Sequence, residues 1–389
     1  MNKNEKTSVA HLIRTYLFTT GSWIYGQISQ LSSFQPIVLT TKTVNLDIFP
    51  FEPIYHYQEI TDQRGKVGAF LRGGFEFATD KKLKFFSAAC RDHRVRLLHA
   101  HFGTEGYYSL PLQRQLGVPL ITTFYGADIS RLPRIPKWRR RYARLFEGGD
   151  LFLAEGSHMA QRIVDQGCSP EKVQLNRLGV DLDSIIYVPR QMEEDGEIRL
   201  LMASSFKEKK GIPYGIKAFI EAEKRVPDLR LTIIGGAVTD SDRRLLVECQ
   251  ELVRRAGLGE KVRFLGYLLY PEYIQEQRRS HLFLAPSVTA SDGDSEGGAP
   301  VSIIEASAAG MPVLSTTHCD IPEVVLDGKS GLLVPERDVE RLAGAILDLA
   351  EQPELWKDMG ATGRRHVERE YNRIDQARKL ESIYAKLLS

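Results

Sequence analysis

The sequence predicts an α/β protein built from two doubly wound halves, each a parallel sheet covered by helices. Three observations carry this. Short apolar runs alternate with longer amphipathic ones along the whole chain, the pattern of repeated βα units. The series is interrupted once, by Pro189-Arg190-Gln191-Met192-Glu193-Glu194-Asp195-Gly196, a polar and turn-rich stretch that reads as a linker. The chain has 389 residues, 42% hydrophobic and 26% charged, enough for two or three domains with sizeable cores and too apolar for general disorder.

In the first half the apolar runs predict strands at 10–16, 35–40, 96–101, 119–124, 151–154 and 173–177, with a helix over 107–116 stopped by Gly117. This half closes at Gly179-Val180-Asp181. In the second half the strands are 198–203, 229–234, 262–265, 282–285, 312–315 and 331–334, with helical periods over 216–225 and 243–256 among them. The last segment, 364–388, places Ala377, Leu380, Tyr384, Leu387 and Leu388 on one stripe of a long terminal helix. The expected domains are therefore 1–188 and 189–365, with 366–389 a terminal helix able to cross back to the first. Open α/β sheets bind ligands beyond the carboxyl ends of their strands, so functional side chains are expected in the loops that follow strands.

Composition narrows the function. Fifty-two Lys plus Arg against fifty Asp plus Glu leave +2, too near neutral for whole-chain nucleic-acid binding. No apolar run approaches the ~18 residues of a membrane-spanning helix. Met1-Asn2-Lys3-Asn4 is not followed by a secretory signal, and the four cysteines (90, 168, 249 and 319) form no CxxC pair, against a zinc site or a disulfide framework. A reducing, cytoplasmic compartment is expected.

The most informative stretch runs from Ser291 to Gly310. It follows a strand, is rich in Gly, Asp and Ser, and turns helical at Pro300, a residue suited to the first helical position. The amides of Val301, Ser302 and Ile303 would then face whatever precedes the helix, and with the helix dipole they make an anion site fit for phosphate. Gly297 and Gly298 allow close approach of a ligand to the backbone. Glu296 stands beside this site and Glu305 inside the helix, placed to accept sugar hydroxyls as carboxylates do in dinucleotide sites. A phosphate flanked by two such carboxylates fits a nucleotide-sugar. The plain alternative is a solvated loop whose charge favours the helix dipole.

These residues carry a resemblance. Glu296-Gly297-Gly298-Ala299-Pro300-Val301-Ser302-Ile303-Ile304-Glu305-Ala306, then Gly310-Met311-Pro312-Val313-Leu314-Ser315-Thr316, then Ile321-Pro322-Glu323-Val324-Val325, resemble the donor-site signature of family-four retaining glycosyltransferases. His99-Ala100-His101-Phe102-Gly103, Thr122-Thr123-Phe124-Tyr125-Gly126-Ala127-Asp128, Lys209-Lys210-Gly211 and Phe264-Leu265-Gly266-Tyr267 fall in the same family's order, so the likeness spans essentially the whole chain. It implies the GT-B fold, two Rossmann-like domains facing across a cleft. It also implies a retaining transfer of a hexosyl unit from a UDP-, GDP- or ADP-linked sugar to a saccharide or lipid-linked acceptor, of the bacterial polysaccharide and colanic-acid type. By the same resemblance Glu296 contacts the donor sugar, Glu305 the ribose, and Lys210 the diphosphate. Gly297, Gly298, Val301 and Ser302 offer backbone contacts, the backbone at Tyr267 and Leu268 receives the base, and neither metal nor cofactor is needed. The chain departs from the family in three places. Its two glutamates are nine positions apart rather than eight, Ser205 stands where the family often has arginine, and Tyr125 stands where it has the cleft histidine.

Other groups have weaker claims. Thr20-Gly21-Ser22 is a turn able to bring amides to the diphosphate, and His101, Tyr125 and Asp128 are candidate acceptor-side residues. His99 and His101 with Glu105 invite a metal reading, but no third His or Cys is close in sequence, and structure or substrate binding is the stronger reading. Asp292-Gly293-Asp294 reads as turn chemistry rather than a metal motif. Arg131, Arg134, Lys137, Arg139, Arg140, Arg141 and Arg144 surround Trp138 and Tyr142 with no acid among them; an anionic membrane surface and an ordinary solvated helix face explain them equally well. No nucleic-acid module is evident. A nicotinamide enzyme is disfavoured, since Gly235-Gly236-Ala237 lacks the third glycine of GxGxxG. A nucleotide-sugar epimerase or hydrolase of the same fold and a non-catalytic nucleotide-sugar-binding protein remain as alternatives.

Overall fold

The structure, a computed structural model, describes residues 6–18, 21–58 and 74–389. Strands β1 (Thr7–Tyr16), β2 (Phe34–Thr43), β3 (Ile54–His56), β4 (Val95–His101), β5 (Leu120–Thr123), β6 (Leu151–Ala154) and β7 (Val173–Leu175) form one sheet in the order 3-2-1-4-5-6-7. Strands β8 (Ile198–Ala203), β9 (Leu229–Ile234), β10 (Val262–Gly266), β11 (Leu282–Ala285), β12 (Val313–Thr316) and β13 (Gly331–Val334) form a second in the order 10-9-8-11-12-13. The strand pairings are parallel, for example β1 with β4 and β8 with β11. Both orders reverse direction once, between β1 and β4 and between β8 and β11, and ligands of doubly wound sheets sit at such a switch point.

The chain divides into two compact units. One contains Met1–Ala154, Ala160–Gly179 and Arg373–Ser389, the other Glu155–Met159 and Val180–Asn372. In the first unit Val9, Leu97, Ile121 and Leu153 pack with Leu380, Ile383 and Tyr384 of the terminal helix. In the second, Leu200, Leu231 and Leu282 pack with Phe219, Ile346 and Trp356.

Two sequence expectations change. The short edge strand β3 is absent from the predicted set; its three residues are too few to show a period. The terminal segment is two helices, Trp356–Glu370 and Arg373–Leu388, not one helix over 364–388. Tyr371 leaves helical geometry at φ −129°, and its carbonyl accepts the Val180 N–H at 2.8 Å. Neither Gly nor Pro marks the break, so periodicity runs through it. The stripe itself is buried as expected at Ala377, Leu380 and Tyr384. Among the described residues no helix is long and apolar enough to cross a membrane.

Candidate functional site

The site of the second unit grows from the carboxyl ends of β8 and β11. After β8 the chain makes one tight turn, Glu208–Lys210, and then needs a left-handed residue to enter the helix Ile212–Glu223. Gly211 supplies it at φ 64°, and a Cβ there would stand 1.8 Å from the Pro286 carbonyl oxygen, just past β11. Glycine thus lets the two post-strand loops touch and sets Lys210 against the second of them. Ser204, Lys210, Ser287, Pro300 and Ser302 line a small cavity there.

Lys210 Nζ lies 2.9 Å from the Glu296 carboxylate, which also accepts Ser287 Oγ–H at 3.1 Å. Lys209 Nζ is 3.8 Å from Glu296 and 3.3 Å from Asp294, and donates to the Ser295 carbonyl at 2.9 Å. Burial by itself would push the Glu296 carboxyl up, but Lys210 and Lys209 outweigh it and hold the group down to about 2. Burial draws the Lys210 ammonium below the usual lysine value, with Glu296 opposing. A buried pair of this kind resists removal of either partner, because the survivor is left as an uncompensated charge. The loop is also held from behind. His318 Nε2 accepts the Glu296 N–H at 3.1 Å, and its Nδ1 lies 2.6 Å from Glu336 Oε1. Glu336 in turn accepts the Thr289 N–H at 2.8 Å.

The helix that follows is Val301–Ala308. Pro300 caps it at φ −56°, ψ 133° rather than opening its first turn, and the Ile303 amide donates to the Pro300 carbonyl at 3.0 Å. The predicted set of free amides therefore contracts from three to two: among the described residues those of Val301 and Ser302 have no acceptor, as an anion site at a helix start requires. Gly297 sits at φ 82°, and a Cβ on Gly298 would lie 1.9 Å from Glu155 Oε2. Glu305, fifth in the helix, accepts a hydrogen bond from the Tyr273 hydroxyl. Burial pushes its carboxyl up to about 7 against that bond. Tyr273 belongs to the helix Tyr270–Arg279, directly after the turn Gly266-Tyr267-Leu268, so the turn expected to take the base and the carboxylate expected to take the ribose are tied together. Tyr267 is 58% exposed. Ser205 accepts the Lys207 N–H with its carbonyl and brings no cation. Asp292-Gly293-Asp294 is a turn in which the Asp294 N–H donates to Asp292 Oδ1 at 2.9 Å.

In the first unit, Gly21 precedes the helix Ser22–Ser29 and donates its N–H to the Phe18 carbonyl at 2.7 Å; Thr20 lies outside the described residues. His101 ends β4, and its Nδ1 is 2.5 Å from the Tyr125 hydroxyl, which donates to Gln27 Oε1 at 3.3 Å. Asp128 spends its carboxylate on backbone, accepting the N–H groups of Gly103, Tyr125 and Gly126. The third histidine not visible near His99 and His101 in the sequence is His11, beside them on β1. Burial holds His11 down to about 3, and burial holds His99 and His101 well below the ordinary histidine range. In the basic run, Tyr142 is buried and Arg141 stacks on Trp138, 4.7 Å from ring centre, while Arg131, Arg134, Lys137, Arg139, Arg140 and Arg144 are exposed.

Sequence reasoning missed His318, Glu336, Tyr273 and Glu155. For the first two a signal existed: each lies two residues past the end of a strand, β12 and β13. Tyr273 lies within a helix, where no such rule points.

The family model for Glycosyl transferases group 1 matches residues 187–366, and that for Glycosyltransferase Family 4 matches residues 55–184. Over 289 residues the chain is 32% identical to the putative colanic acid biosynthesis glycosyltransferase WcaL of Salmonella typhimurium, covering 73% of this chain and 69% of that protein. Over 290 residues it is 30% identical to the amylovoran biosynthesis glycosyltransferase AmsK of Erwinia amylovora, covering 74% and 69%. The solved structure of Anabaena HepE in complex with UDP and glucose superposes with a TM-score of 0.78 at 16% identity, covering 98% of this chain and 100% of that one.

Proposed function

Because this chain belongs to the group 1 glycosyl transferases, we propose that it moves a hexosyl unit, with retention, from a nucleotide diphosphate sugar to a hydroxyl of a saccharide or lipid-linked acceptor. The observation that carries this is the meeting of Lys210, Glu296 and the unbonded amides of Val301 and Ser302 at the β8/β11 switch point. The arriving diphosphate takes those amides and draws Lys210 from Glu296. Glu296, still facing Lys209 and Ser287, is released toward the donor sugar. Glu305 accepts the ribose hydroxyls, and the backbone at Tyr267 and Leu268 receives the base.

In the transfer, the bond from the anomeric carbon to the β-phosphate oxygen breaks as the acceptor oxygen bonds the same face. The acceptor proton passes to the departing phosphate oxygen. Lys210 and the helix amides stabilise the charge that develops on that diphosphate, a preorganised contribution of several kcal/mol in comparable sites. Neither a metal nor a cofactor enters this scheme. Gly21, His101, Tyr125 and Asp128 remain the acceptor-side residues, with the Tyr125 hydroxyl, oriented by His101, the group best fitted to a sugar hydroxyl. The exposed cations of 131–144 suit the inner face of an anionic membrane, where such an acceptor would be carried.

Lys210→Ala is expected to cut turnover at least tenfold and, because Lys209 and Ser287 still face Glu296, to lower stability without abolishing the fold, read by steady-state kinetics and circular dichroism. Wild-type kinetics in this variant would reject the site. The solved HepE complex with UDP and glucose makes a UDP-hexose the first donor to try, ahead of GDP- and ADP-sugars, in a thermal-shift series. Hydrolysis of donor alone as fast as transfer would favour the hydrolase reading instead.

A further inference from the structure

The first unit holds a second constellation, of which the proposed transfer uses only His101, through its contact with Tyr125. His11 on β1 and His99 on β4 are direct neighbours in the sheet register, and His101 follows two residues along the same face of β4. All three are fully buried, and one ring nitrogen from each lies within 4.8 Å of the others. His11 Nδ1 and His101 Nε2 are 3.0 Å apart. Nitrogens bound tetrahedrally to zinc at about 2.0–2.1 Å stand roughly 3.3 Å from one another, so this spacing is already close to that of two ligands on one ion.

Two of the three outward nitrogens are engaged as they are around bound metals. His101 Nδ1 meets the Tyr125 hydroxyl at 2.5 Å, and His99 Nδ1 meets the Tyr384 hydroxyl at 2.5 Å. Such contacts set the tautomer and aim the opposite nitrogen inward. His99 Nε2 lies 2.7 Å from Thr123 Oγ1, an oxygen at hand for a fourth contact. The third ring differs: with His11 Nδ1 facing His101, its other nitrogen, Nε2, is buried with no hydrogen-bond partner. Three imidazoles, two on one strand at i and i+2 and one on the neighbouring strand, form a donor set suited to zinc and its borderline neighbours rather than to calcium or magnesium.

We propose that His11, His99 and His101 bind one divalent transition-metal ion of the zinc class, which ties β1 to β4 beneath the terminal helix. The ion replaces the hydrogen bond between His11 and His101. Its role is structural: every ligand belongs to the first unit, and none is a donor-binding residue. The proposal shares His101 with the acceptor side but is read without the transfer reaction.

The test uses the full-length chain with no histidine tag. After unfolding, refolding with equimolar zinc and exhaustive dialysis, elemental analysis should find about one zinc per chain, and the thermal midpoint should rise above that of the metal-free protein. Refolding with cobalt(II) should give the intense visible absorption of a four-coordinate site. Tyr384→Phe removes an outer hydroxyl but no ligand, and should weaken zinc binding about tenfold. His11→Gln should abolish the cobalt spectrum. Should His11→Gln fail to fold, the wild-type cobalt spectrum and the Tyr384→Phe titration decide. Retention of less than a tenth of an equivalent by the wild type, or zinc held equally well by His11→Gln, would overturn the proposal and leave a purely hydrogen-bonded histidine cluster.

Discussion

Glu305 shows what a single side chain in this fold is poised to do. Its carboxyl ordinarily titrates near 4.5, and burial pushes it up to about 7, with the Tyr273 hydroxyl opposing. The sign follows directly. A carboxyl raised on folding favours the protonated state, so its unfavourable effect on stability is absent below about 4.5, grows with pH and is complete above about 7. In the proposed donor complex ribose hydroxyls donate to the ionised form, so nucleotide binding would oppose that shift. Near pH 7 binding should therefore release a fraction of a proton and tighten as the pH rises. Calorimetry in two buffers of different ionisation enthalpy measures this, and Glu305→Gln should release none; equal apparent enthalpies for the wild type in both buffers would contradict the assignment. Glu296, Lys210 and Glu305 could be singled out from their pattern in the sequence, but their electrostatics could not. That Lys210 rests on Glu296, or that Tyr273 reaches Glu305, depends on loops from different strands, and no spacing encodes it.

At the scale of elements, most strands were legible for one reason. A strand in a parallel sheet is buried on both faces, so it reads as an unbroken apolar run, as in Leu282–Ala285 and Leu151–Ala154. Ends were less legible. Pro300 caps its helix instead of beginning it, and the terminal segment breaks at Tyr371 where a backbone bridge to Val180 competes with helix continuation. The turn at Gly211 is the element-level feature on which the proposed donor site depends. Gly211→Ala imposes a left-handed backbone on a residue with a side chain, at about 1–2 kcal/mol, and drives Cβ into the Pro286 carbonyl. A total loss of at least about 2 kcal/mol is expected in chemical denaturation. Donor affinity should fall with it, since Lys210 is the adjacent residue. A variant as stable as the wild type would show that the loop relaxes freely.

At the scale of the molecule, two units with separate cores predict two unfolding transitions rather than one. Tyr384 is fully buried in the first core although it lies five residues from the chain end. Tyr384→Ala should destabilise that unit by roughly 3–5 kcal/mol, the range for large buried aromatics. A bound nucleotide should instead raise only the transition of the second unit, as scanning calorimetry with and without UDP would register. One transition shifted by both changes would argue against independent units. The amino-acid order alone determined the α/β class, the succession of strands apart from the short β3, and the post-strand loop and helix that carry the two glutamates, because these rest on local periodicity and turn chemistry. Only the tertiary structure decided which strands are neighbours, and with that the meeting of His11 with His99 and His101, the support of Glu296 by His318, and the return of the terminal helix to the first core. Such pairings depend on contacts between residues far apart in the chain, whose free energy appears only once the sheets are assembled.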